Sequence, residues 1–150
     1  MDTLHTQAVV IGAGVIGLAV ARALAMTGRE VMLLEAGDRE GEGISSRNSE
    51  VIHAGLYYPP GSRKAVMCRQ GREALYRYCE QRPIPVRQCG KWLVATEPEQ
   101  LPRLQELQDN AAANHVSLTP VSAERLAAEP ALRAVAALES PLTGIIDSHA

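Results

Sequence analysis

Apolar residues cluster early in the chain in a strand, helix, strand rhythm. Gln7–Ile11 is a short run rich in β-branched residues, which predicts a strand buried on both faces. Leu18, Ala21, Leu24 and Ala25 then recur at helical spacing up to Met26, and Thr27-Gly28 supplies a glycine stop. Glu30–Glu35 is a second run of strand length, closed by Ala36-Gly37-Asp38. Two such strands joined through a helix predict a parallel crossover unit.

The pattern changes after residue 37. From Gly37 to Pro60 the chain is rich in Gly, Ser, Asn and Pro, too long for a simple connection, and reads as a binding loop. Ser62–Gln81 returns to helix, with Ala65, Cys68, Leu75 and Cys79 on one stripe and Arg72 falling on it. Val86–Cys89 and Lys91–Ala95 predict two short strands, antiparallel to one another if joined tightly through Gly90. Leu101, Leu104 and Leu107 mark an amphipathic helix reaching about Asn114, most simply core packing, and Ser122–Ala128 a shorter one. Leu142–Ile146 reads as a strand, and Asp147-Ser148 as a helix N-cap followed only by His149 and Ala150. That ending suggests the front part of a longer protein.

Composition narrows the classes. A chain of 150 residues, 46% hydrophobic and 21% charged, is in the range that folds as a globular domain. Its net charge of −2 gives no global case for a nucleic-acid partner, since phosphate binding needs a dense basic surface. Cys68, Cys79 and Cys89 are odd in number and contain no C-x-x-C pair, so neither a disulfide framework nor a metal site is expected. They read as buried, reduced thiols of a cytoplasmic protein. No basic segment precedes the first apolar run, and no run approaches the ~20 apolar residues of a membrane span.

The chemistry begins at Gly12-Ala13-Gly14-Val15-Ile16-Gly17. A G-x-G-x-x-G alone is a weak signal, but this one follows a predicted strand, opens a predicted helix and precedes an acid, Glu35, at the end of the next strand. Gly12 permits the tight turn, Gly14 keeps side chains off a pyrophosphate, and Gly17 lets helix and strand approach. The helix start offers N–H groups and positive dipole to the anion. Glu35 would accept from ribose hydroxyls and repel a 2′-phosphate, which favours FAD or NAD over NADP.

The following loop decides between those two. Ile44–Ser62 carries small hydroxyl side chains, an amide and a histidine where a nicotinamide enzyme would usually enter another helix. The run Arg47-Asn48-Ser49-x-Val51-Ile52-His53-Ala54-Gly55-x-Tyr57-Tyr58 resembles the FAD-dependent oxidoreductases of the D-amino-acid oxidase superfamily, in particular the L-2-hydroxyglutarate dehydrogenase or oxidase branch. Pro60-Gly61-Ser62 with Lys64-Ala65, Cys89-Gly90-Lys91 leading into Leu93–Thr96, and Thr143–Asp147 extend the resemblance over nearly the whole chain.

The resemblance implies an α/β fold class: a Rossmann-like FAD-binding domain with a parallel strand–helix–strand core and the start of a substrate domain, incomplete in this chain. Residues 1–82 would form the FAD-binding unit with its flavin loop and following helix, and 83–150 the start of the mixed substrate segment. Gly12, Gly14, Val15, Ile16 and Gly17 would hold the pyrophosphate, and Glu35 and Ala36 the adenosine end. Ser45, Ser46, Arg47, Asn48, Ser49 and Val51 would run beside the ribityl chain and ring. His53 would lie close to the flavin and is the candidate catalytic residue, although a histidine in a glycine-bounded loop is otherwise often a hydrogen-bonded structural one. Some relatives bond such a histidine covalently to flavin; this branch is expected to hold FAD without a bond. Glu50 stands where the best-known members have glycine, and a carboxylate-bearing residue there requires ordinary negative φ.

The activity implied is oxidation of a small 2-hydroxy acid, L-2-hydroxyglutarate to 2-oxoglutarate foremost, with hydride passing from C2 to flavin N5 and a base taking the hydroxyl proton. Rivals are amino-acid or glycerol 3-phosphate oxidation within the same superfamily, and a non-catalytic dinucleotide-binding module. The partner is a small carboxylate substrate. Seven cations between Arg63 and Arg87, against Glu73 and Glu80, read first as a solvated helix face. Peripheral contact with the inner membrane and a quinone, or steering of a dianionic substrate, are the functional alternatives. Trp92 and the Tyr57-Tyr58 pair could flank a ligand or line a domain interface.

Overall fold

A computed structural model describes residues 3–149. The chain folds as two compact units, residues 3–49 and residues 50–148.

The first unit is β1 (Ala8–Ile11), α1 (Val15–Ala25) and β2 (Val31–Leu34). The strands pair in parallel with Ala8 opposite Val31 and Ile11 opposite Leu34, and α1 packs on both. The crossover therefore forms as the apolar spacing predicts. Burial on both faces does not. Val9 and Ile11 are exposed, Ile11 at 84%, while Ala8 and Val10 are half-buried. The reason is covering: one helix and one neighbouring strand shield a single face, and parallel strands bury both faces only when both are overlaid.

The second unit holds two small antiparallel sheets. One orders β3 (Val51–Ile52), β8 (Gly144–Ile146) and β4 (Val86–Arg87); the other orders β5 (Lys91–Ala95), β7 (Ala136–Ser140) and β6 (Thr119–Pro120). The expected β4–β5 hairpin is absent. At Gly90, with φ +71°, the chain leaves one sheet and enters the other, so β4 pairs with β8 and β5 with β7. A left-handed bend at that glycine separates the strands instead of folding one back on the other.

Helix α2 (Arg63–Glu80) opens at Ser62, whose Oγ accepts from the Ala65 N–H, and α4 (Ala123–Ala127) opens the same way at Ser122. Helix α3 (Leu101–Ala113) follows a 3-10 turn over Pro98–Gln100. Its Leu104 and Leu107 pack onto a core of Ala54, Leu56, Leu93, Ala111, Val116, Leu118 and Leu138, whereas Leu101 is exposed. Leu93 and Leu138 are paired across β5 and β7, so alternation sends both to the α3 face and turns Trp92 and Glu139 to the other. There Arg125 grips Glu139 with two N–H···O bonds of 2.7 and 2.9 Å, which lowers the Glu139 carboxyl below its ordinary range.

Of the three thiols Cys79 is buried, Cys68 half-buried and Cys89 exposed, and all are free. The expectation of buried thiols thus fails at Cys89, which sits on the loop before Gly90. Among the described residues no helix is long and apolar enough to cross a membrane, and no His, Cys, Asp and Glu cluster could hold a metal ion.

Candidate functional site

The glycine-rich turn has the geometry its spacing predicts. Gly12 adopts φ +96°, and a Cβ there would meet nothing within 4 Å, so the turn is strained for other residues yet open to a ligand. At Gly17 a Cβ would collide with the Gly12 carbonyl, which is how closely α1 approaches the end of β1. Gly14 is the N-cap of α1, in extended conformation. The first turn of α1 contains no acid, which leaves the positive end of its dipole for an anion.

Glu35 points into the turn. Its Oε2 accepts from Ala13 N at 2.6 Å, and its Oε1 from Ala36 N at 2.8 Å and Gly37 N at 2.9 Å. These backbone bonds, Gly37 first, hold the carboxyl below its ordinary range, so it is anionic at neutral pH. A carboxylate has about four lone-pair positions. Three are taken by the protein, and one remains for a hydroxyl.

The loop after β2 returns to the same place. Gly41 N donates to Ala13 O at 2.9 Å, and Ser45, on a 3-10 turn over Ile44–Ser46, accepts from Val15 N at 2.9 Å. Ser45 thus reaches the start of α1, away from the loop stretch with which the resemblance grouped it; spacing could not show this, because the bond spans 30 residues. Ser46 Oγ donates to Glu42 O and Gly43 O, and Asn48 Nδ2 to Ser45 O, so both shape the loop. Arg47 and Ser49 are exposed. Gly12, Gly14, Val15, Glu35 and Ser45 are therefore brought together, with Ile16 exposed on the first turn and Ala36 bonded to Glu35.

The remaining candidates belong to the second unit. Glu50 departs from expectation: it has φ +56°, the left-handed region, rather than negative φ. Its carboxylate accepts from Ser148 N and Oγ, both at 3.0 Å, and its carbonyl from Ile146 N. Bonds on both sides of the residue hold a conformation that glycine would adopt more cheaply. Val51 lies in β3, half-buried.

His53 is exposed, and among the described residues its imidazole makes no hydrogen bond. Its carbonyl accepts from the Cys68 thiol at 3.5 Å; burial pushes that thiol up, so it stays protonated and able to donate. The loop beyond it is pinned by side chains the sequence did not assign. Arg72, only 7% exposed, donates to Ala54 O at 2.9 Å and also meets Glu73. Asn110 donates to Leu56 O and Tyr58 O at 2.7 and 3.1 Å, and Asn114 to Tyr58 O at 2.8 Å. Only Arg72 left a sequence signal, a cation on an apolar stripe. The exposed Tyr57 side chain receives a 2.9 Å bond from Lys91 Nζ.

A glycine turn between parallel strands, an anion-accepting helix start and a carboxylate poised for a sugar define a dinucleotide-binding protein. Comparison with known proteins makes the class specific: the family model described as FAD dependent oxidoreductase (DAO) matches residues 7–150, and the chain belongs to that family. It is 51% identical over 149 residues to the L-2-hydroxyglutarate dehydrogenase, mitochondrial, of Arabidopsis thaliana, and 41% over 150 residues to that of Homo sapiens, in each case over 97% of this chain. It covers 30% and 32% of those proteins, so it spans about a third of the length of the curated relatives it matches. Among solved structures, the FAD-bound L-alpha-glycerophosphate oxidase of Mycoplasma pneumoniae matches with TM-score 0.88 and 25% identity, over 97% of this chain and 40% of its own. Glycine oxidase of Geobacillus kaustophilus, at TM-score 0.83 and 21% identity over 97% of this chain and 42% of its own, shares the fold.

Proposed function

We propose that this chain supplies the cofactor-holding part of an enzyme that oxidises a small 2-hydroxy acid, L-2-hydroxyglutarate to 2-oxoglutarate. The observation that carries the reading is the bond of Glu35 to Ala13 N, which couples the sugar-binding carboxylate to an open glycine turn at the start of α1. The residues fit FAD on chemical grounds. Gly12, Gly14, Val15, Ile16 and Gly17 would cradle the pyrophosphate against bare backbone at the helix start, although Gly12 N already donates to Leu34 O and Val15 N to the Ser45 hydroxyl, and Glu35 would accept a ribose hydroxyl at its remaining lone pair. Ala36 supports the adenosine end by fixing Glu35, and Ser46, Arg47, Asn48, Ser49 and Val51 form the adjoining loop. Bound FAD supplies the hydride acceptor; the protein supplies orientation and proton handling.

His53 is the group proposed to handle the proton. Its exposed imidazole makes no hydrogen bond among the described residues, which leaves both ring nitrogens available to a substrate hydroxyl. The choice of substrate is supported by the names of curated relatives such as those of Arabidopsis thaliana, Bos taurus and Homo sapiens, each an L-2-hydroxyglutarate dehydrogenase.

The test is to load the protein with FAD and measure turnover of L-2-hydroxyglutarate, amino acids and glycerol 3-phosphate with an artificial electron acceptor. Preference for L-2-hydroxyglutarate is expected. Preference for an amino acid or for glycerol 3-phosphate would overturn the substrate, and a protein that takes up no flavin would overturn the whole reading.

A further inference from the structure

Lys91 stands at the first position of β5, half-buried, on the strand face that carries Leu93 toward the core. An ammonium in such a place ordinarily meets a carboxylate, because partial burial weakens its hydration. Among the described residues no carboxylate lies within salt-bridge distance of it. Its hydrogen bond goes to the Tyr57 hydroxyl, 2.9 Å away. The phenol oxygen accepts there, which leaves the Tyr57 O–H and the other two N–H bonds of Lys91 to donate elsewhere. Two donors, one of them charged, thus sit side by side at a surface that Tyr57 leaves 47% exposed, with no acceptor from the described residues.

Neither group is free to wander. The carbonyls flanking Tyr57 are held at Leu56 and Tyr58 by Asn110 and Asn114, and Ala54 O by buried Arg72. The Lys91 main chain is fixed by its pairing with Ser140 in β7, and its ammonium is held by the Tyr57 hydroxyl and lies 4.7 Å from the centre of the Tyr57 ring. The donor pair is therefore set before any ligand arrives, which reduces the ordering cost of binding.

We propose that Tyr57 and Lys91 form a carboxylate-binding site, and, resting on the function proposed above, that they hold the distal carboxylate of the dicarboxylate substrate. Tyr57 follows His53 by four residues, a reach of at most about 14 Å when fully extended. The turn between them, with Gly55 at φ +95°, brings them closer than that limit. One pinned loop then carries both the group that handles the hydroxyl proton and half of the group that recognises the far end of the molecule.

The experiment compares two substrates of the FAD-loaded enzyme, L-2-hydroxyglutarate and L-2-hydroxypentanoate, which lacks the distal carboxylate. In Lys91→Met and Tyr57→Phe the KM for L-2-hydroxyglutarate should rise about tenfold, the low end for losing a hydrogen bond to a charged group at a partly exposed position, and by more than kcat falls. The KM for L-2-hydroxypentanoate should move less than twofold, and Lys91→Arg should restore part of the preference. A second readout needs no turnover: glutarate should protect Lys91 from acetylation, measured by mass spectrometry, and its uncharged diamide, glutaramide, should not. Equal changes for both substrates, or acetylation of Lys91 indifferent to glutarate, would overturn the proposal. Protection by inorganic phosphate as strong as by glutarate would overturn the carboxylate assignment. Should the unaltered enzyme fail to oxidise L-2-hydroxyglutarate while glutarate still shields Lys91, the substrate reading falls and the site stands.

Discussion

The two units of this chain solve opposite problems. In residues 3–49 only Ala13 is buried among the described positions, and Ile11 and Ile16 are exposed at 84% and 78%. In residues 50–148 a contiguous core joins Leu56, Leu93, Val116, Leu118 and Leu138. The first unit is organised by backbone geometry around a turn; the second is organised by side-chain packing. The exposure in the first unit follows from covering, since one helix and one neighbouring strand shield a single face of β1, while Gly12 keeps the turn bare of side chains. The contrast teaches that binding geometry and core stability are supplied here by different stretches of sequence.

Substitutions can break that contrast. The largest effect is expected from Gly17→Val, where the new side chain must displace the Gly12 carbonyl. Flavin retention through gel filtration should be lost and the first unit destabilised by more than about 4 kcal/mol. Next, Leu138→Ala in the second unit should cost about 3 kcal/mol in urea unfolding, whereas Ile11→Ala in the first should cost less than about 0.5 kcal/mol, since a side chain already in water has little to lose. Equal costs at the two sites would erase the distinction between the units. Arg72→Met should cost about 2 kcal/mol by leaving the buried Ala54 carbonyl without its donor, and thermal denaturation would show it.

The smallest effect concerns acid. Because backbone bonds lower the Glu35 carboxyl, its contribution is present above the ordinary value of 4.5 and disappears as pH falls through the lower folded value. Glu35→Gln should flatten the pH dependence of FAD release below pH 4.5 and leave the acid response of the second unit unchanged, as followed by flavin fluorescence and Trp92 emission.

The same contrast explains what could be read in advance. The strand, helix and strand of the first unit, its glycines and Glu35 all lie within one local pattern, and each appears where spacing predicts it. The packing of Arg72 was readable too, from a cation placed on an apolar stripe. The second unit depends on partners far apart. Trp92 meets Glu139 across 47 positions, and β7 itself is an alanine-rich run with little strand propensity, visible only once β5 lies beside it. The Gly90 bend misled because a glycine between two short apolar runs suits a hairpin and a change of sheet equally well. Glu50 misled because its left-handed backbone is held by Ser148 and Ile146, both near the other end of the chain. The Tyr57–Lys91 bond, spanning 34 residues, left no trace in spacing.

The donors that hold residues 54–58 grasp peptide oxygens, and every amino acid brings one. Mutation within that segment can therefore alter the chemistry displayed while the path of the chain is preserved from α2 and α3. Engineers could therefore exchange its outward-facing residues without rebuilding the scaffold, provided that buried Ala54 and Leu56 and the left-handed Gly55 are kept.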